Sequence, residues 1–95
     1  MFILRIEHPV PAFDAWKQAF DADPLERERS GVRRYRILRD VHDPNHVLVD
    51  LEFDDWDAAE AMRSALEGLW RRVQPEGLIG HQRARVVEAV EAVEY

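Results

Sequence analysis

The chain predicts an α+β domain of order β-α-β-β-α-β, in which a four-stranded antiparallel sheet carries two helices on one face. Three observations carry that prediction. The segment from Gly31 to Phe53 reads as a hairpin with one apolar and one charged face, the segment after it reads as an amphipathic helix, and a strand-like run lies near each end of the chain.

The first element is Phe2 to His8, where Phe2, Leu4 and Ile6 alternate with Ile3, Arg5 and Glu7. A period of two gives a strand with one buried face. Pro9 and Pro11 end it, and Pro11 suits the opening of a helix with Asp14 in its first turn. Phe13, Trp16 and Phe20 then recur at i, i+3 and i+7, the spacing of a buried helical stripe. Asp23-Pro24 restarts the chain as a short capped helical turn through LERERS, which Gly31 closes.

In the hairpin, Val47, Val49, Leu51 and Phe53 alternate with His46, Leu48, Asp50 and Glu52, while Tyr35 and Ile37 alternate with Arg34, Arg36 and Leu38. Asp54 or Asp55 caps a second helix to about Val73, with Ala58, Met62, Ala65, Leu66, Leu69 and Val73 at helical spacing. Its acidic start and the basic pair Arg71 and Arg72 at its end both complement the helix dipole. Pro75, Gly77 and Gly80 make a loop. From Gln82 the valines favour a strand through roughly Ala89 with a bulged or frayed end, although VEAVEAVE does not alternate cleanly.

This order puts Phe2, Leu4, Ile6, Tyr35, Ile37, Val47, Val49, Leu51 and Phe53 under the helices. The opposite face holds Ile3, Arg5, Glu7, Arg34, Arg36, Leu38, Leu48, Asp50 and Glu52, where three basic and three acidic residues cancel. With the first and third strands adjacent, Arg5 with Glu52 or Glu7 with Asp50 become candidate cross-strand pairs. An uncovered antiparallel sheet with Ile3, Leu38 and Leu48 among its charges is a ready surface for a second copy, so a homodimer is expected.

Ninety-five residues make a single domain, residues 1–95. A net charge of −6 argues against nucleic acid or an anionic membrane as the main partner, since both reward an excess of cations. The absence of cysteine excludes disulfides, thiolate ligands and a Cys nucleophile and fits a cytoplasmic protein. The start, MFILRIEHP, is expected to be the first strand rather than a signal peptide or anchor.

The run HPVPAFDAWKQAFDADPLERERSGV, followed by RYRILRDVHDPNHVLVDLEFDDWDAAEAM, resembles small proteins of the dimeric α/β-barrel superfamily. The likeness is to single-domain members grouped with antibiotic biosynthesis monooxygenases and related cyclase-like proteins, and it extends from His8 to about Trp70. Its recognisable pieces are FDAWKQAFD, the turn Asp43-Pro44-Asn45, and the EFDD step from Glu52 to Asp55. The resemblance implies a ferredoxin-like sheet whose open face pairs with that of a second copy to form a barrel. Arg5, Glu7, Arg34, Arg36, Asp50 and Glu52 would form that dimer face.

The resemblance also implies a pocket between sheet and helices, in which the family's monooxygenases oxidise an aromatic ring without a metal or flavin. No cofactor is therefore expected. Trp16, Trp70 and Tyr35 are the candidate substrate-binding residues, with Phe13, Phe20 and Trp56 as further aromatic groups. Core packing is the competing role for Phe13, Trp16 and Phe20, and a half-exposed position beside the helix cap for Trp56.

Of four histidines, His42 and His46 flank the DPN turn and belong to the surface. His8, at the end of the first strand, and His81, at the entry to the last, are the candidate catalytic bases, because a neutral imidazole can take a proton from a phenol or enol. No metal site is expected, since His42 and His46 have no obvious third ligand. No GxGxxG, P-loop or GxSxG motif occurs. The superfamily's haem-degrading branch relies on an Asn in the first strand and a His on the last helix, and this chain has neither. Two functions follow: cofactor-independent oxidation or cyclisation of a small aromatic or polyketide-like substrate, or a non-catalytic ligand-binding or accessory dimer. A cavity lined by Trp70 and one of the two histidines favours the first, and a packed interior the second.

Overall fold

A computed structural model describes residues 1–73 and 82–95. The elements are β1 (Phe2–Pro9), α1 (Phe13–Asp21), β2 (Val32–Arg39), β3 (His46–Phe53), α2 (Trp56–Val73) and β4 (Arg83–Glu88). They follow the predicted β-α-β-β-α-β order and form one antiparallel sheet in the order β2-β3-β1-β4. The predicted loop at Pro75, Gly77 and Gly80, and His81 after it, lie outside the described residues.

The period-two pattern of β1 and β3 becomes the floor of the core. Leu4, Val47 and Phe53 are fully buried and Val49 and Leu51 nearly so. Each such side chain contributes about 1.5–3 kcal/mol by leaving water. From α2 the ridge that meets them is Ala59, Met62, Leu66 and Trp70, at i, i+3, i+7 and i+11. Ala65, predicted on that ridge, is exposed, because the buried stripe runs through Ala59 instead. Trp56 is half-exposed beside Asp55, as expected for a residue next to a helix cap.

No residue of α1 is fully buried, so the expected core stripe of Phe13, Trp16 and Phe20 is instead half-buried. The reason lies in what faces it, which is partly space rather than protein. Ala12 at its N-cap offers no capping side chain. The cap comes from the β2–β3 turn: the Asn45 amide oxygen accepts the Phe13 N–H at 3.1 Å and the Asn45 carbonyl accepts the Val10 N–H at 2.7 Å. Asp40 and Asp43 shape that turn by accepting the backbone N–H groups of His42, Asp43 and Asn45. The DPN turn thus fixes where α1 begins.

After α1 the chain does not resume as a helix. Asp23 and Glu26 adopt positive φ, 53° and 49°, and break LERERS into successive turns held by the Asp23 carboxylate on the Arg27 N–H. Gly31 at φ 103°, with the Ala58 side chain close to where a Cβ would stand, then leads into β2.

On the helix-free face, register places Arg36, Asp50, Arg5 and Arg85 in one row and Leu38, Leu48, Glu7 and Arg83 in the next. Neither predicted cross-strand pair forms. Asp50 lies opposite Arg5 and accepts from its Nε at 2.8 Å and its Nη2 at 2.9 Å, with Arg36 adding a bond at 3.2 Å. Glu52 pairs with Arg34 instead, and Glu7 accepts from the His46 ring at 2.6 Å. The expected charge cancellation also fails, because β4 brings Arg83 and Arg85 to this face. The paired arginines hold the Asp50 carboxyl below its usual range, and Asp50 itself is buried beneath them.

Candidate functional site

A cavity of about 250 Å³ lies between the sheet and the helices. Ile6, Val49 and Leu51 form its floor, Trp16 and Phe20 of α1 one wall, and Met62, Leu66 and Trp70 of α2 another. Among its described lining residues only His8 and Arg27 carry an ionisable side chain, and the indole N–H groups of Trp16 and Trp70 are the other side-chain donors. Such a chamber suits an apolar molecule held in orientation by one or two polar groups.

β1 positions His8. The residue shares the helix-side face with Leu4 and Ile6, sits opposite Val47, and is only 3% exposed. Its ring meets Trp16 edge-on at 5.8 Å between centroids and Trp70 at 6.4 Å. Nδ1 lies 3.2 Å from the Pro9 carbonyl oxygen. A carbonyl only accepts, so Nδ1 carries the proton and Nε2 keeps its lone pair. Burial pushes the imidazole pKa down, partly opposed by the Pro9 bond, so the ring is neutral at pH 7. A neutral, desolvated imidazole with a free lone pair beside an apolar chamber is equipped to take a proton from a bound hydroxyl.

The predicted aromatic residues divide. Trp16 and Trp70 both line the cavity and both contact His8. Tyr35, expected beside them, does not line it: β2 is the sheet edge and Tyr35 is 46% exposed, its ring 5.1 Å from Phe20. Phe13 is also outside the cavity lining and packs against Trp16 and beneath the Arg39 guanidinium. His42 is exposed in the hairpin turn, as expected, whereas His46 is the first residue of β3 and is half-buried against Glu7.

Arg27, which no sequence pattern singles out, also lines the cavity. Its guanidinium stacks 3.8 Å from the Phe20 ring centroid and donates to the Phe20 carbonyl at 2.8 Å. Within LERERS it reads as one charge among four, and nothing local marks it as inward-facing. The only usable signal was its place four residues after a turn-forming Asp23. Among the described residues, no group of three His, Cys, Asp or Glu side chains could hold a metal ion, and no helix is long and apolar enough to cross a membrane.

Comparison of the whole fold with solved structures places it among full-length neighbours. A protein from Deinococcus radiodurans, provisionally named an antibiotic biosynthesis monooxygenase, is 20% identical with a TM-score of 0.72, and the match covers 100% of this chain and 98% of that one. A mutant form of SnoaB, a cofactor-independent oxygenase from Streptomyces nogalater, is 16% identical with a TM-score of 0.76, covering 99% and 97%. A dimeric ferredoxin-like protein from an uncultured marine organism is 14% identical with a TM-score of 0.71, covering 97% of each chain. This chain shares their ferredoxin-like fold. No protein-family model and no curated protein matches the sequence.

Proposed function

We propose that the cavity binds a small aromatic molecule bearing a ring hydroxyl, and that His8 accepts the hydroxyl proton to begin a cofactor-independent oxidation. The observation that carries this is His8 itself: buried, neutral, its Nδ1 committed to Pro9 and its ring set between Trp16 and Trp70 at the cavity wall. Transfer of the proton to Nε2 leaves an electron-rich enolate or phenolate against the apolar side chains that line the chamber. Molecular oxygen is the oxidant: a ring CH₂ and O₂ give a ring carbonyl and water. The solved oxygenase from Streptomyces nogalater with the same fold supports this choice over other base-catalysed reactions. His81, the other candidate base, remains part of the proposal on sequence grounds alone.

The functional unit we propose is a homodimer formed through the helix-free sheet face, where Leu38 is exposed among the Arg5, Arg34 and Arg36 side chains. The dimeric protein of like fold supports it. Sedimentation at micromolar concentration checks it, and a monomeric mass would remove the dimer.

The test of the reaction is oxygen uptake with anthrone, in which a ring hydroxyl forms by enolisation. The wild-type chain is expected to consume one O₂ per anthrone, and His8→Asn, whose amide can keep the bond to Pro9, to lose at least about a hundredfold in rate. Undiminished turnover in His8→Asn would end the assignment of the base. Stoichiometric binding of 2-naphthol together with no oxygen uptake from anthrone would leave a ligand-binding domain in place of an enzyme.

A further inference from the structure

We propose that Arg27 is a second, specificity-determining anchor of the cavity, and that the ligand is a flat ring system carrying an anionic oxygen group, such as a carboxylate, at the end remote from His8. This rests on the cavity being a ligand site, as proposed above.

The side chain of Arg27 is only 16% exposed and lines both the cavity and a shallow polar groove outside it, bounded by Asp23, Glu28 and Tyr35. Its guanidinium forms the partition between the two, set over Phe20 and 5.2 Å from the Tyr35 ring centroid. Nη1 is occupied by the Phe20 carbonyl and lies 3.4 Å from the Asp23 carboxylate. Nε and Nη2, with three N–H groups between them, have no protein partner among the described residues. A largely desolvated cation with spare donors is stabilised by an anionic oxygen, and the planar fork suits a carboxylate in particular.

Position gives the ligand its length. Arg27 packs beside Tyr35, which register places level with Leu51 and Leu4, while His8 is level with Val47. Four strand residues separate those levels, about 13 Å along the sheet. The reach of the two side chains shortens the gap to be bridged. A single ring spans only part of it, and two fused rings with a substituent at each end span more. Among the described lining residues no other charged side chain stands between Arg27 and His8, so a charge in the middle of the ligand would be left unpaired.

Three fluorescent probes test this by titration: 6-hydroxy-2-naphthoic acid, its methyl ester, and 2-naphthol. The wild-type chain is expected to bind the acid at least tenfold more tightly than the ester. Arg27→Met should abolish that preference while leaving ester and naphthol affinities within about threefold, which also shows that the cavity survives the substitution. Arg27→Lys, which keeps the charge and loses the fork, should retain part of the preference, and it supplies the test if Arg27→Met does not fold. Ester and naphthol binding with no preference for the acid, or a preference that persists in Arg27→Met, would overturn the role of Arg27 and leave the cavity proposal standing. If none of the three binds, the cavity reading fails and this inference fails with it.

Discussion

His8 and Asp50 are the two buried polar side chains among the described residues, and they lie on opposite faces of the same sheet. Asp50 is buried charged. It is held by a two-bond contact from Arg5 and a third bond from Arg36, so its acceptors are well satisfied. His8 is buried neutral, with one nitrogen bonded and the other carrying an unused lone pair beside a cavity. The first arrangement specifies how β1, β2 and β3 sit together. The second stores chemical capacity. A buried polar group therefore points to function when its bonding is incomplete and space adjoins it, and to architecture when its bonding is complete.

Removing a partner should expose that difference most strongly at Asp50. Arg5→Ala leaves a buried carboxylate with one weaker partner and is expected to destabilise the chain by about 2 kcal/mol, below the usual cost of breaking a buried pair because Arg5 is itself 43% exposed. Chemical denaturation measures it, and a loss under 0.5 kcal/mol, about the value of a surface pair, would show the network to be ornamental.

Next in size is the loss of the Asn45 cap, which holds the start of the cavity wall rather than the charged face. Asn45→Ala should cost about 1 kcal/mol. It should also weaken 2-naphthol binding through the displaced α1, whereas Arg5→Ala should leave that binding unchanged. Equal effects of the two variants on binding would erase the separation between the faces.

The pH dependence separates the same two residues by window. His8 has a folded pKa below its ordinary 6.5, so the unfolded chain takes up a proton first and stability falls as pH drops below about 6.5. Asp50 is held below its ordinary 3.8, so its contribution is intact above about pH 4 and is lost as pH falls through the lowered folded value. His8→Asn should flatten the thermal midpoint between pH 7 and 5 and leave the steeper acid limb below pH 4. Arg5→Ala should do the reverse. The smallest effect is expected at Arg36→Ala, under about 1 kcal/mol, because that side chain is 67% exposed and makes one bond at 3.2 Å.

Element order, the buried face of the hairpin and the second helix were legible because each rests on local periodicity: Val47, Val49, Leu51 and Phe53 announce their face wherever the strand goes. Register was not legible, since Arg5 opposite Glu52 and Arg5 opposite Asp50 satisfy the same pattern and only the turns choose between them. Half of the candidate site was readable. His8, Trp16 and Trp70 stand at element ends and on amphipathic faces where topology brings them together. Arg27 was hidden because positive φ at Asp23 and Glu26 turns a charged run inward, and residue type alone does not show that. Tyr35 was misplaced because alternation assigns a face without saying whether a helix covers that strand.

Histidine-selective ¹⁵N NMR at pH 7, with and without saturating 2-naphthol and with His8→Asn to assign the signals, tests the role of His8 most directly. The expected result is a neutral ring protonated on Nδ1, whose unprotonated Nε2 resonance shifts when naphthol binds. A ring protonated on Nε2, or an Nε2 signal unmoved while naphthol occupies the protein, would contradict it.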